Sequence, residues 1–128
     1  IAKASKLLPE TTQLSRVRAG LFSHGEGIHT PHIDLYRKHY NILYYANESD
    51  GDTILFNERA KFAETALRYP PTEPPFPNSF SVMDRISPKR GRVVVFDGSL
   101  YHSSSLPEDH TTRMAININM SVPLPKGI

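Results

Sequence analysis

Arg113-Met114-Ala115-Ile116-Asn117-Ile118-Asn119-Met120-Ser121-Val122 decides the fold by its alternation. Successive side chains on a strand point to opposite faces. Met114, Ile116, Ile118 and Met120 therefore share one face, and Arg113, Ala115, Asn117 and Asn119 the other. An unbroken period of two is the mark of a strand. On a strand of a closed roll, such a polar face either lines a wet pocket or looks out into solvent. Alternation alone permits both.

The same signals recur upstream. Residues 16–22, 31–36, 40–47, 53–56, 79–86, 92–96 and 100–104 read as strands, separated by Gly, Pro and Asp/Asn turns such as Glu48-Ser49-Asp50-Gly51-Asp52. With residues 113–122 they make about eight, which in one small domain points to a double-sheet jelly roll or barrel. Helical spacing is confined to Ile1, Ala4, Leu7 and Leu8 before Pro9, and helix-compatible composition to residues 58–69. The latter runs into Pro70-Pro71-Thr72-Glu73-Pro74-Pro75-Phe76-Pro77, which proline excludes from helix and central strand alike. Residues 58–80 are read as a surface excursion, either a lid or a bare linker.

The chain has 128 residues, enough for one core and too few for two. Its 38% hydrophobic and 22% charged residues are ordinary for a folded domain. No apolar run is long enough to span a bilayer, so no membrane association is expected. The chain opens on Ile1 and shows no signal-peptide pattern, which fits a processed or truncated product. The absence of cysteine removes disulfides, thiolate zinc sites and cysteine nucleophiles, and it fits a reducing, cytoplasmic compartment. The net charge of +2 favours anionic ligands. Basic residues are too scattered for a nucleic-acid stripe; Lys89-Arg90-Gly91-Arg92 reads as a solvated turn.

The chemistry lies in His32-Ile33-Asp34, His102 and Arg113. On a strand His32 and Asp34 point the same way, with Ile33 and Leu35 on the core side, so the pair can share one metal. His102 completes two imidazoles and a carboxylate, the facial triad of non-haem Fe(II) oxygenases. An HxD pair is weak evidence alone, and His24-Gly25-Glu26 is a decoy set in a glycine-rich turn. His29, His39 and His110 read as structural, although His110 is near enough to Arg113 to remain a weak rival to His102. His102 stands apart because it follows the apolar strand Val93 to Phe96, and Arg113 opens the next strand.

In this order the residues resemble the Fe(II)/2-oxoglutarate-dependent dioxygenases, most closely the prolyl 4-hydroxylase-like branch, over residues 16–122. Pro31-His32-Ile33-Asp34 matches the first metal motif, and Pro88 to Phe96 followed by His102 matches the approach to the second histidine. Asn41 to Asn47, then Gly51 to Phe56, resemble the branch's third and fourth strands, although Asp50-Gly51-Asp52-Thr53 stands where relatives often carry two glycines. The resemblance implies a double-stranded β-helix (jelly roll, cupin-like), mainly β, of about eight strands with little flanking helix. It implies a single oxygenase domain over residues 1–128, in which the N-terminal helical layer is short or absent.

The resemblance further implies that His32, Asp34 and His102 hold Fe(II) and form the catalytic centre. Arg113 and Tyr45 would bind the far carboxylate of 2-oxoglutarate, which a planar guanidinium can grip with two hydrogen bonds. With O2, the implied reaction hydroxylates a substrate while 2-oxoglutarate becomes succinate and CO2. An aspartate at position 34 leaves no coordination position for a halide, which favours hydroxylation over halogenation. The substrate stays open among a peptidyl proline, an amino acid and a small metabolite, and the oligomeric state is open too. Tyr36 and Arg85 are further candidates for the pocket wall. The alternatives are a cupin-type metalloenzyme without a keto acid, or a non-catalytic jelly-roll binding domain.

Overall fold

The structure is a computed structural model that describes residues 12–62, 80–109 and 112–122. The helical reading of residues 1–8, His110 and most of the 58–80 excursion lie outside these residues. Seven strands are described: β1 (Gln13–Ser23), β2 (His39–Tyr45), β3 (Thr53–Arg59), β4 (Val82–Ile86), β5 (Val93–Asp97), β6 (Leu100–Ser104) and β7 (Thr112–Ser121). They form two sheets, β1-β7-β2-β5 and β4-β3-β6, with every paired strand antiparallel. This is a jelly roll.

Two expectations need correction. Residues 31–36 are not a strand. Pro31 has no N–H to give a ladder, and the segment pairs only at the isolated bridge His32↔His102 before the chain bends. In the other direction, β1 runs beyond residues 16–22 and β3 beyond residue 56, because each has a full partner strand to extend along. Glu58 and Arg59 thus end a strand rather than start a helix.

The polar face of β7 is the inner one. Arg113, Ala115, Asn119 and Ser121 are buried, whereas Met114 is exposed. Its register with β1 (Leu21↔Met114, Val17↔Ile118) and β2 (Tyr44↔Ile116) places an apolar strip on the outside of the larger sheet. Leu14, Val17, Leu21, Tyr44 and Val93 are exposed there. The core lies between the sheets, where Leu55, Phe96 and Leu100 pack together with Ile86 and Val94. The first four residues of β3 are buried on both faces, and Ile54 and Phe56 pack with Ile33 and Tyr101 on the far side. That accounts for its continuous apolar run, Ile54-Leu55-Phe56.

His39 on β2 is fully buried and touches the β5–β6 turn, where the Gly98 N–H donates to the His39 carbonyl at 2.8 Å. A Cβ on Gly98 would fall 2.2 Å from His39 Nε2. The turn is tied to the ring's own backbone, so neither side can retreat. We expect Gly98→Ala to destabilise the protein by about 1–3 kcal/mol. A lower urea midpoint at an unchanged slope would show it, and an unchanged midpoint would mean the turn yields.

Candidate metal centre

The bridge between His32 and His102 builds the site. Each backbone N–H donates to the other's carbonyl at 3.0 Å, and the two rings come to 4.5 Å between centroids. His102 is placed by β6, whose inner face also carries Leu100; the Phe96 ring stands edge-on to it at 5.1 Å. Ile33 is buried in the cluster of Ile54, Phe56 and Tyr101. With that side chain anchored outward, the bend after it swings Asp34 back toward the two imidazoles.

Asp34 Oδ1 lies 3.3 Å from His32 Nε2 and 3.2 Å from His102 Nε2. Neighbouring ligands about 2.1 Å from one ion stand about 3 Å apart, so the three atoms suit a common metal. Ring orientation agrees. His32 Nδ1 pairs with the Thr30 carbonyl at 2.9 Å and His102 Nδ1 with the Leu100 carbonyl at 3.2 Å. A carbonyl can only accept, so each Nδ1 carries a proton; each Nε2 is thereby left to offer its lone pair to a metal, or to hold a second proton against Asp34 Oδ1 when no metal is bound. Asp34 Oδ2 takes the amide donors of Asn117 at 2.7 Å and Asn119 at 3.0 Å. Oδ1 is left for the ion.

The electrostatics of this cluster follow from proximity. Burial works to raise the pKa of Asp34, but hydrogen bonds from His102, His32 and Asn117 overcome it and hold the carboxyl far below the usual carboxylate range. The hydrogen bond to Asp34 raises His32 above its ordinary 6.5, against the opposing effect of burial. Proton and metal compete for the same Nε2, so metal affinity should weaken as pH falls through the raised His32 value. Without metal the sign reverses for stability. The charged His32–Asp34 pair contributes fully below pH 6.5, and the contribution fades as pH rises through the raised value. Between pH 5 and 9 the metal titrations should therefore run opposite to the difference in melting temperature between metal-free wild type and His32→Gln, a difference that cancels the opposing pH dependence of His39, whose pKa burial lowers.

The triad opens on a cavity of about 650 Å³ whose wall includes Arg113, Thr53, Asn117, Arg16 and Arg18. Arg113 is buried, four residues from Asn117 along β7, which is about 13 Å of strand. Its Nε donates to the Gly51 carbonyl at 2.7 Å and an Nη to Thr53 Oγ at 2.8 Å. The guanidinium carbon lies 5.5 Å from the centroids of both Phe22 and Tyr45. Burial lowers its pKa while Tyr45 and Asp52 oppose the shift; an arginine remains charged all the same. Fully buried Tyr45 stands behind the cavity wall, and its hydroxyl donates to Thr53 Oγ at 2.6 Å.

Other candidates go elsewhere. Tyr36 packs against the Ile33 cluster, and Arg85 pairs with Asp52 at 3.4 Å; neither belongs to the cavity wall. His29 lines the cavity against the Phe22 ring. Among the described residues, His32, Asp34 and His102 form the one group placed to hold a metal, and His24 and Glu26 are not in it. The residues that sequence reasoning missed are Thr53, Asn117 and Asn119 as partners, and Arg16 and Arg18 on the wall. Alternation within residues 16–22, with Val17 and Ala19 opposite the arginines, was the available signal for the last two.

No family model matches this chain, and no curated protein matches it. Among solved structures, a cupin protein from Bacteroides fragilis is similar, with a TM-score of 0.52 and 11% sequence identity over 88% of this chain and 70% of that chain. At that identity the likeness speaks to fold alone. None of the described residues form a helix long and apolar enough to cross a membrane. The chain has a cupin-like jelly-roll fold, with a His–Asp–His group placed to hold a metal ion on its inner wall.

Proposed function

We propose that this protein is an Fe(II)- and 2-oxoglutarate-dependent dioxygenase of the prolyl 4-hydroxylase-like branch. The observation that carries the reading is a buried arginine, Arg113, in the wall of the same cavity as the two-histidine, one-carboxylate group. His32, Asp34 and His102 would hold the iron on one face, leaving room for ligands on the other. Bound Fe(II) supplies the O2 chemistry that couples decarboxylation of 2-oxoglutarate to succinate with hydroxylation of a C–H bond.

The chain's own residues do the positioning. Arg113 binds the far carboxylate of the cosubstrate. Thr53 Oγ already accepts from both Arg113 and Tyr45, so its single proton is directed elsewhere and can serve the same carboxylate. Tyr45 then acts on the cosubstrate through Thr53. Asn117 and Asn119 fix Asp34 so that one oxygen faces the metal. A chain without cysteine that keeps iron ferrous suits a reducing compartment such as the cytoplasm.

One observation favours the rival, a cupin-type metalloenzyme without a keto acid. Arg113 also has a structural task, tying β7 to Gly51 and Thr53. An anaerobic visible spectrum separates the two. A weak charge-transfer band that needs both Fe(II) and 2-oxoglutarate is the expected result. Iron binding with no such band favours the rival, and no iron binding sinks the dioxygenase reading.

A further inference from the structure

The larger sheet carries more positive charge on its inner face than one cosubstrate uses. Register places Arg16 of β1 opposite Asn119 and Arg18 opposite Asn117, the two asparagines that hold Asp34. Both arginines line the cavity with the triad. They sit at its metal end, whereas Arg113 lies about 13 Å along β7 from Asn117 and its guanidinium is held at Gly51 and Thr53, so the arginines serve two ends of the cavity. Arg16 is partly engaged: its Nε donates to Asn119 Oδ1 at 3.0 Å, and an Nη stands 3.9 Å from Asp34. Arg18 has no ion pair among the described residues, and it is close enough to lower the pKa of His32 by repulsion.

From this geometry we infer that the primary substrate is a small molecule bearing an oxyanion, gripped by Arg18 with Arg16 beside it, next to the metal ligands. This rests on the dioxygenase reading for the identity of the site, and it narrows that reading. An internal peptidyl proline is neutral at every atom near the reacting carbon and would make no use of the charge at Arg18, which stands exposed on the cavity wall. A free amino acid or another small carboxylate brings its own counter-charge. A guanidinium is matched to carboxylate and phosphate alike through parallel hydrogen bonds, so both sources of oxyanion remain in the test.

The test uses anaerobic protein with Fe(II) and saturating 2-oxoglutarate, titrated with N-acetylglycine, N-acetylglycinamide and inorganic phosphate. Binding is followed by ligand-detected NMR and by the arginine side-chain signals of labelled protein. We expect the carboxylate to bind roughly tenfold more tightly than its amide. Arg18→Gln should erase the preference and Arg18→Lys should keep part of it. Phosphate binding that depends on Arg18, without carboxylate binding, keeps the oxyanion and makes a phosphoester its source. Equal binding of acid and amide, no binding of any probe, or a preference that survives Arg18→Gln overturns the inference. The dioxygenase reading fails separately. If wild type shows no band with 2-oxoglutarate yet still discriminates acid from amide through Arg18, that reading falls and the oxyanion site stands.

Discussion

Asp34→Asn is expected to abolish Fe(II) binding while leaving a folded protein. The substitution preserves shape but not charge. The carbonyl oxygen of the new amide can accept from Asn117 and Asn119 in place of Asp34 Oδ2, which turns its NH2 toward His32 and His102. That group donates to the two Nε2 lone pairs the metal needs, so the site is both neutralised and blocked. Loss of an outer partner to a metal ligand typically costs about 10–100-fold in affinity, and loss of the ligand itself should exceed that. Asp34→Ala loses metal too, but it also takes the acceptor from half-buried Asn117 and from fully buried Asn119, the latter at about 1–3 kcal/mol. The two variants therefore separate coordination from stability. Anaerobic calorimetry with Fe(II) measures the first and urea unfolding the second. Tight iron binding by Asp34→Asn would break the triad assignment.

The same variant reports on acid stability. Asp34 has its folded pKa pressed far below its ordinary 3.8, so it contributes stability above that pH and loses it progressively as pH falls below. Wild type should lose stability more steeply than Asp34→Asn in that acid range, because the variant has no carboxylate there to protonate.

Much of this was legible in the chain because it depends on period and spacing. The alternation of residues 113–122 is a property of any half-buried strand, and it separated Arg113, Asn117 and Asn119 from the apolar face correctly. What alternation could not decide was which face turned inward. That is a matter of sheet order: β7 lies between β1 and β2, with its polar side toward the cavity. The pairing of His32 with Asp34 was expected from a strand that does not exist. A single bridge to His102 and the anchoring of Ile33 produce the same juxtaposition by another route. Nothing local in residues 31–36 encodes a partner seventy residues away, so this route was hidden. Thr53 was hidden for a similar reason: its importance lies in two donors, Tyr45 and Arg113, brought together by three different strands.

Arg113→Met should leave iron binding near its wild-type strength and weaken 2-oxoglutarate binding by roughly 100-fold or more, since each hydrogen bond to a charged group is worth about 1.5–3 kcal/mol. Methionine is the better probe than alanine, because the aliphatic stem of Arg113 packs against its surroundings as well as carrying charge. A Cβ on Gly51 would meet Arg113 Cδ at 3.0 Å, which shows how closely that stem is enclosed. Even so, methionine leaves the Gly51 carbonyl and Thr53 Oγ short of a donor, so some loss of stability accompanies it. The readout that a purely structural arginine would not give is the split between ligands. A general loosening of the roll lowers metal and cosubstrate affinity together; removal of the cosubstrate's counter-charge lowers only the second. Unchanged 2-oxoglutarate affinity in Arg113→Met would hand the role to a cation elsewhere on the wall, with Arg18 first in line. The oxyanion preference attributed to Arg18 would then belong to the cosubstrate. Measuring both variants with both ligands therefore assigns each arginine to its anion, because exchanged roles would exchange the two losses.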